Sequence, residues 1–269
     1  MPETNYSLQN LVKAVQSSKK YAQLSQSLVK RIAAEELPKH RDLKTAVKTT
    51  RTRLHRLAGA FIQSGGGYAQ WLESYAAFSD FDPDGKNEQL KLLMRRHAST
   101  NERLPFLEIF YQQTLASLSP VRSVLDLACG LNPLAIPFMP LHPQFQYWAC
   151  DVLVPEIDLI QQWFQLEQID AKAFLCDLLN DIPRNQVQLA LALKTLPILD
   201  QIDPGFSTSL LKQLQCEHIL ISYPTKSLGG RSKGMVQTYS EHFSKLTKPF
   251  SFNIQRFDFS NEIAFLLSR

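Results

Sequence analysis

The sequence predicts an α/β protein, a doubly wound and largely parallel sheet with an all-helical domain in front. Three observations carry this. Apolar residues recur at helical spacing up to about residue 118, whereas from Val121 short apolar runs alternate with helical stretches. The first of those runs ends in Asp126-Leu127-Ala128-Cys129-Gly130, which puts a glycine turn at a strand tip. The charge is also divided. Residues 1–56 hold 12 Lys or Arg against 4 Asp or Glu, a net +8, which leaves −4 for the rest of a chain whose total is +4. A chain of 269 residues can hold two modest domains, and the boundary is expected after residue 96, giving a helical domain over 1–96 and an α/β domain over 97–269.

The helical elements follow from spacing and punctuation. Leu8, Leu11, Val12 and Val15 mark a first helix, and Leu24, Leu28 and Ile32 a second that Pro38 stops. A third, about Asp42 to Gln63, is two-faced: Leu43, Val47, Thr50, Leu54, Leu57, Ala58 and Phe61 on one side, Arg41, Lys44, Lys48, Arg51 and His55 on the other. Ser64-Gly65-Gly66-Gly67 ends it, since glycine takes the backbone angles a helix terminus needs. The basic face is either solvated or a phosphate-contacting surface, and its place in a +8 segment favours the second. Asp82-Pro83-Asp84-Gly85 is expected to be a plain turn. Ser99 with Glu102 has the spacing of a capping box, and Pro105 suits the first turn of a helix running to about Leu118.

Strands are expected at Val121–Cys129, Phe145–Cys150, Ala171–Cys176, Val187–Leu193 and His218–Tyr223. Helices fall between them at Pro155–Gln168, Phe206–Leu214 and Lys233–Leu246, and Ser251–Phe257 with Ile263–Leu267 forms a closing hairpin. Near-continuous apolar strands separated by helices belong to a parallel sheet covered on both faces. Five such units and a hairpin describe the methyltransferase version of the doubly wound fold.

Composition excludes several classes. With 44% apolar and 20% charged residues the chain is not disordered. No apolar run approaches the roughly 18 residues of a membrane span, and the start lacks a secretory pattern, so a cytoplasmic protein is expected. Cys129, Cys150, Cys176 and Cys216 share no Cys-x-x-Cys spacing and read as buried thiols; the six histidines are scattered, so no metal is expected. No Ser-His-Asp or Cys-His nucleophilic arrangement stands out.

The chemistry lies at the strand ends, where open α/β sheets bind ligands. Gly130 lets a ligand approach the backbone, Asp151 at the second strand end can accept both ribose hydroxyls of an adenosine, and Asp177 at the third can accept from its adenine amino group while Leu178 covers the ring. A dinucleotide would need G-x-G-x-x-G, and Gly130-Leu131-Asn132-Pro133-Leu134-Ala135 is a poor phosphate cradle. S-adenosylmethionine has no phosphate and needs only the turn. Each acid has a plainer alternative: Asp126 as a turn cap, Asp151 as a helix N-cap, Asp177 as a surface loop residue.

Longer blocks are more specific. Ser18-Lys19-Lys20-Tyr21, Arg51-Thr52-Arg53-Leu54-His55, His97 through Leu104, Asp126 through Ala135 and Ser222 through Met235 resemble the aminoglycoside-resistance methyltransferases that act on N7 of a guanine in the decoding site of 16S ribosomal RNA. The resemblance implies a class I fold with a helical RNA-docking domain, and S-adenosyl-L-methionine as the donor. It implies that Arg103, with Thr100 beside it, holds the donor's methionine carboxylate, and that Ala128 and Gly130 line the methionine portion. It places His97, Asp151, Val152, Asp177 and Leu178 on the donor as well, and sets Leu193 and Lys194 where the target base enters. Lys194 and Asp200 are its candidate catalytic pair. Lys20, Lys44, Lys48, Arg51, Arg53, His55, Lys226, Arg231 and Lys233 are the implied RNA contacts, with packing an alternative for Arg53. The family often continues Glu-Arg-x-Gln where this chain has Asp200-Gln201-Ile202-Asp203, and Tyr223 stands for a usual phenylalanine.

The implied partner is 16S rRNA in the assembled 30S subunit, met by a monomer, with neither membrane nor DNA involved; the implied outcome is aminoglycoside resistance. Tyr223, Tyr239 and Phe243 are candidates to stack on an extruded base. A methyltransferase for another RNA position or a protein, and a non-catalytic ribosome-binding factor, are the competing readings.

Overall fold

The computed structural model describes residues 5–58, 67–77, 83–225 and 235–269. Three helices form the front: α1 (Leu8–Gln16), α2 (Gln26–Glu36) and α3 (Leu43–Ala58). Side-chain caps set their starts: Ser7 accepts from the Asn10 amide, Ser25 from that of Leu28 and Asp42 from that of Thr45. Their apolar stripes, among them Leu11, Val15, Leu28, Ile32 and Leu54, close on one another in a small core of their own that takes in Leu153 from the α/β part. Phe61 and the glycines expected to end α3 at 65 and 66 lie outside the described residues.

Four more helices follow: α4 (Tyr68–Ala76), α5 (Pro83–Met94), α6 (Ala98–Arg103) and α7 (Leu107–Leu115). Tyr75, Leu90, Leu93 and Met94 share a core cluster with Val121, Tyr147 and Trp163, so α4 and α5 pack with the sheet. By packing, α4 and α5 go with the sheet, whereas α1 to α3 form the separate cluster. Two local expectations are corrected here. Pro83-Asp84-Gly85 opens α5 instead of making a turn, because a first-turn proline gives up no hydrogen bond and Asp84 suits the positive end of the helix. His97, not Ser99, is the N-cap of α6, and Glu102 points away from that terminus to Lys194.

The remaining elements are β1 (Val121–Leu127), β2 (Leu141–Asp151), α8 (Val154–Leu166), β3 (Ala171–Leu175), β4 (Val187–Leu193), α9 (Leu196–Asp200), α10 (Phe206–Gln213), β5 (Cys216–Pro224), α11 (Met235–Thr247), β6 (Asn253–Asp258) and β7 (Glu262–Ser268). They form one seven-stranded sheet of order β3-β2-β1-β4-β5-β7-β6. β1 to β5 are parallel, and β7 lies antiparallel between β5 and β6. The chain walks outward from β1 to β3, then jumps back to β4. That reversal opens a crevice at the carboxyl ends of β1 and β4.

Candidate active site

Backbone geometry at the strand tips sets the site. Just past β1, Ala128 and Gly130 have φ of 49° and 50°, and Lys194 just past β4 has 58°, so both strands end in sharp left-handed kinks. A Cβ on Gly130 would lie 2.6 Å from the His97 imidazole, which is why the turn needs glycine. The kink aims the Gly130 amide at Asp151 Oδ2 (2.9 Å), while Oδ1 accepts from the amides of Val152 (2.6 Å) and Leu153 (3.2 Å). Burial nevertheless wins over these three bonds and raises the Asp151 pKa. Asp126 sits deeper, accepting from Asn132 Nδ2 (2.9 Å) and the Tyr147 hydroxyl (2.7 Å), and burial pushes it up to about 6.

These tips surround one pocket of about 920 Å³ of atom-free space, solvent at its mouth included. Ala128, Asp151 and Val152 line it from β1 and β2, and Asp177 and Leu178 from the loop after β3. Leu193 and Lys194 contribute from β4, and His97 and Arg103 from α6. The structure thus brings together nine of the residues expected in the donor and catalytic sets. Leu28, Leu57 and Ala58 of the helical front complete the wall.

A buried polar network backs the pocket. Arg103, 0% exposed, donates from Nε (3.2 Å) and Nη2 (2.6 Å) to the two oxygens of Glu262 and from Nη1 to Asn132 Oδ1 (3.0 Å). Asn132 Oδ1 also accepts from the Tyr111 hydroxyl at 2.5 Å. Lys194 Nζ lies between Glu102 (2.6 Å) and Glu262 (3.4 Å). Burial would raise the Glu262 carboxyl, but the Arg103 and Lys194 cations overcome it and hold it below the usual range. Burial, then those same two cations, drives His97 down to about 4, leaving a neutral imidazole at the pocket wall at neutral pH. Glu262, Asn132 and Glu102 were not among the expected site residues. Glu102 and Asn132 lie inside quoted blocks, whereas the only local signal for Glu262 is an acid at the edge of an apolar run.

Other expected residues stand elsewhere. The Thr100 hydroxyl donates to the carbonyls of Met94 (2.6 Å) and His97 (3.0 Å), fixing the turn into α6, and does not line the pocket. Gly130 shapes the pocket from behind through Asp151. Asp200 is not brought to the pocket: its carboxylate accepts from the Ser207 amide (2.9 Å) and hydroxyl, capping α10 on a separate depression. Of the base-stacking candidates, Tyr223 and Phe243 are buried in the core, and half-buried Tyr239 stacks on Tyr223 with 5.1 Å between ring centroids.

On the helical front, Tyr21, Lys44, Lys48, Arg51 and His55 line an open groove, with Lys20 Nζ 3.1 Å from His55 Nδ1. Arg51 Nη2 caps the end of α1 through the carbonyls of Ala14 (2.8 Å) and Val15 (3.0 Å). Arg53 pairs with Glu35 and Glu36, so its guanidinium holds α3 to α2, as its position between the two faces allowed. Lys226, Arg231 and Lys233 lie outside the described residues. Among those described, no cluster of His, Cys, Asp or Glu could hold a metal, all four cysteines are buried and free, and no helix is long and apolar enough to cross a membrane.

The strand order, the antiparallel β7 inserted beside β5 and acids at the tips of β2 and β3 define a class I S-adenosylmethionine-dependent methyltransferase fold. The model of the ribosomal RNA methyltransferase (FmrO) family matches residues 17–266, and the chain belongs to that family. It is 34% identical over 259 residues to the 16S rRNA (guanine(1405)-N(7))-methyltransferase of Frankia casuarinae, covering 95% of this chain and 91% of the relative. The enzyme of the same name from Serratia marcescens is 35% identical over 230 residues, 86% of each chain. Among solved structures, the 16S rRNA methyltransferase RmtF in complex with S-adenosyl-L-homocysteine superposes with a TM-score of 0.82 at 30% identity, covering 99% of this chain and 100% of that one. The 16S rRNA methylase RmtB follows at 0.79 and 29%, covering 98% of both.

Proposed function

We propose that this chain transfers a methyl group from S-adenosyl-L-methionine to N7 of a guanine in the decoding A-site of 16S rRNA, acting as a monomer on the assembled 30S subunit in the cytoplasm and conferring aminoglycoside resistance. The observation that carries this reading is the pocket at the sheet's reversal point, with Asp151, Asp177 and buried Arg103 around one cavity and a basic groove on the helices that help wall it. The activity printed for the curated relatives, at guanine 1405, supports the target.

The residues present fit the donor. Asp151 keeps about one lone pair, on Oδ2, beyond its three amide bonds for a ribose hydroxyl, and Asp177 faces the same pocket beside Leu178 for adenine. Arg103 has five N–H groups, of which three are engaged, leaving two for the methionine carboxylate. When bound, S-adenosylmethionine supplies an electrophilic methyl group on a cationic sulfur. The pocket suits a cation there. Lys194 is neutralised by Glu102 and Glu262, and His97 is uncharged, so neither repels it. Guanine N7 presents its own lone pair, so no general base is needed, and the work of the protein is alignment and exclusion of water by Leu193, Ile198 and Leu199. Extruding the base costs a few kcal/mol, which phosphate contacts along the Lys44–Lys48 groove would offset.

The test is to incubate purified protein with 30S subunits and labelled donor and to map N7-methylguanosine by base-specific strand cleavage. One labelled guanine in the decoding region, together with raised aminoglycoside tolerance in an expressing bacterium, is expected. Label at another nucleotide or in protein would replace the target, and folded protein that incorporates none would leave a ribosome-binding factor.

A further inference from the structure

The second helix of the front reaches into the adenine end of the pocket. Arg31 on α2 grips Asp177 with two bonds, Nε to Oδ2 (2.6 Å) and Nη2 to Oδ1 (3.2 Å), across 146 residues of sequence. Its Nη1 donates to Glu35 (3.1 Å), so the guanidinium is itself held within the helix. Side-chain exposures of 18% for Arg31 and 5% for Asp177 put the pair largely out of solvent. The backbone is fastened at the same place, with the Ser25 amide bonded to the Val152 carbonyl at 2.8 Å and Leu24 bridged to Leu153.

We propose that Arg31 is a positioning residue for recognition of the donor's adenine: by fixing both oxygens of Asp177, the helical front sets the acceptor that meets the 6-amino group. An ionised carboxylate offers about four lone-pair sites. The guanidinium fork takes one on each oxygen, which leaves the outer two, and Asp177 lines the pocket. An unanchored aspartate in that loop would have to be ordered by the ligand itself, at the ligand's expense in affinity. A planar fork fixes the carboxylate plane as well as its position, which a point charge cannot. The inference rests on the donor reading above, in which Asp177 meets adenine.

The experiment is calorimetric titration of the full chain with two ligands, S-adenosylhomocysteine and its analogue carrying hydrogen in place of the 6-amino group. Wild type should prefer the amino-bearing ligand by about tenfold or more, the usual worth of a hydrogen bond to a charged group. In Arg31→Met the preference should collapse toward one, with the analogue's affinity changed by less than about threefold. Arg31→Lys, which keeps the charge but not the fork, should lie between, and it decides the matter if Arg31→Met fails to fold. Equal weakening of both ligands, with the wild-type preference kept, would make Arg31 a structural tie only and overturn the proposal. Wild-type protein that binds neither ligand would instead overturn the donor reading, and this inference with it.

Discussion

Gly130 shows how little room the turn after β1 leaves. A methyl group there meets both Cε1 and Nε2 of His97 at 2.6 Å, on a backbone whose φ of +50° already disfavours a side chain. Gly130→Ala should therefore cost about 1–3 kcal/mol of stability and, with the imidazole displaced toward the pocket it lines, weaken donor binding. Thermal melting and calorimetry check this, and an unchanged affinity would mean that the ring swings elsewhere. At this scale the sequence was unevenly legible. Asp151 and Asp177 could be read because each sits where an apolar run ends, a signal local to the strand. Glu262 could not: its meaning comes from Arg103, 159 residues away, and nothing near it in sequence marks the partnership. Asp200, offered by the family resemblance, stands apart from the pocket, and no sequence signal showed that its carboxylate closes a local cap on Ser207.

Among the elements, α3 carries two kinds of basic residue on nearly one surface. Lys44 and Lys48 are exposed along the groove, whereas Arg51 caps α1 and Arg53 is tied to α2. Replacing Lys44 and Lys48 with Glu should lower affinity for 30S subunits and reduce the slope of log affinity against log salt by about two. Folding stability should stay within about 0.5 kcal/mol, as for other exposed positions. A salt slope equal to wild type would make this face merely solvated. Helical periodicity predicted the helix and its basic side, but it could not separate a phosphate-facing arginine from one that folds back on a neighbouring helix. That distinction depends on how α1, α2 and α3 pack. β4, by contrast, was predicted with its observed ends, Val187–Leu193, because a strand buried on both faces is apolar throughout and its limits are plain in the sequence.

For the molecule as a whole, the helical front and the sheet share the donor pocket as a common wall. Leu28, Leu57 and Ala58 face Asp151, Val152 and Asp177 across it. Ligand binding should therefore protect more than the strand tips. S-adenosylhomocysteine is expected to slow hydrogen exchange at the Ser25 amide and the first turn of α2, by an amount that grows with ligand excess over its Kd. Protection confined to residues beyond 120 would show that the front and the sheet open independently. The fold class and the alternation of strands and helices could be read because they are written in nearest-neighbour periodicity. The packing partner of α4 and α5 could not, because both carry helical spacing like the front yet bury Tyr75, Leu90 and Leu93 against the sheet.

The pairing of Arg103 with Glu262 also has a consequence for how the protein is made. The two groups are fully enclosed and 159 positions apart, on α6 and β7. A guanidinium without its counter-ion is costly to enclose, so this side of the pocket cannot close until β7 has joined the sheet. The pocket and the pairing of β7 with β5 are therefore completed together, since neither charge can be enclosed without the other.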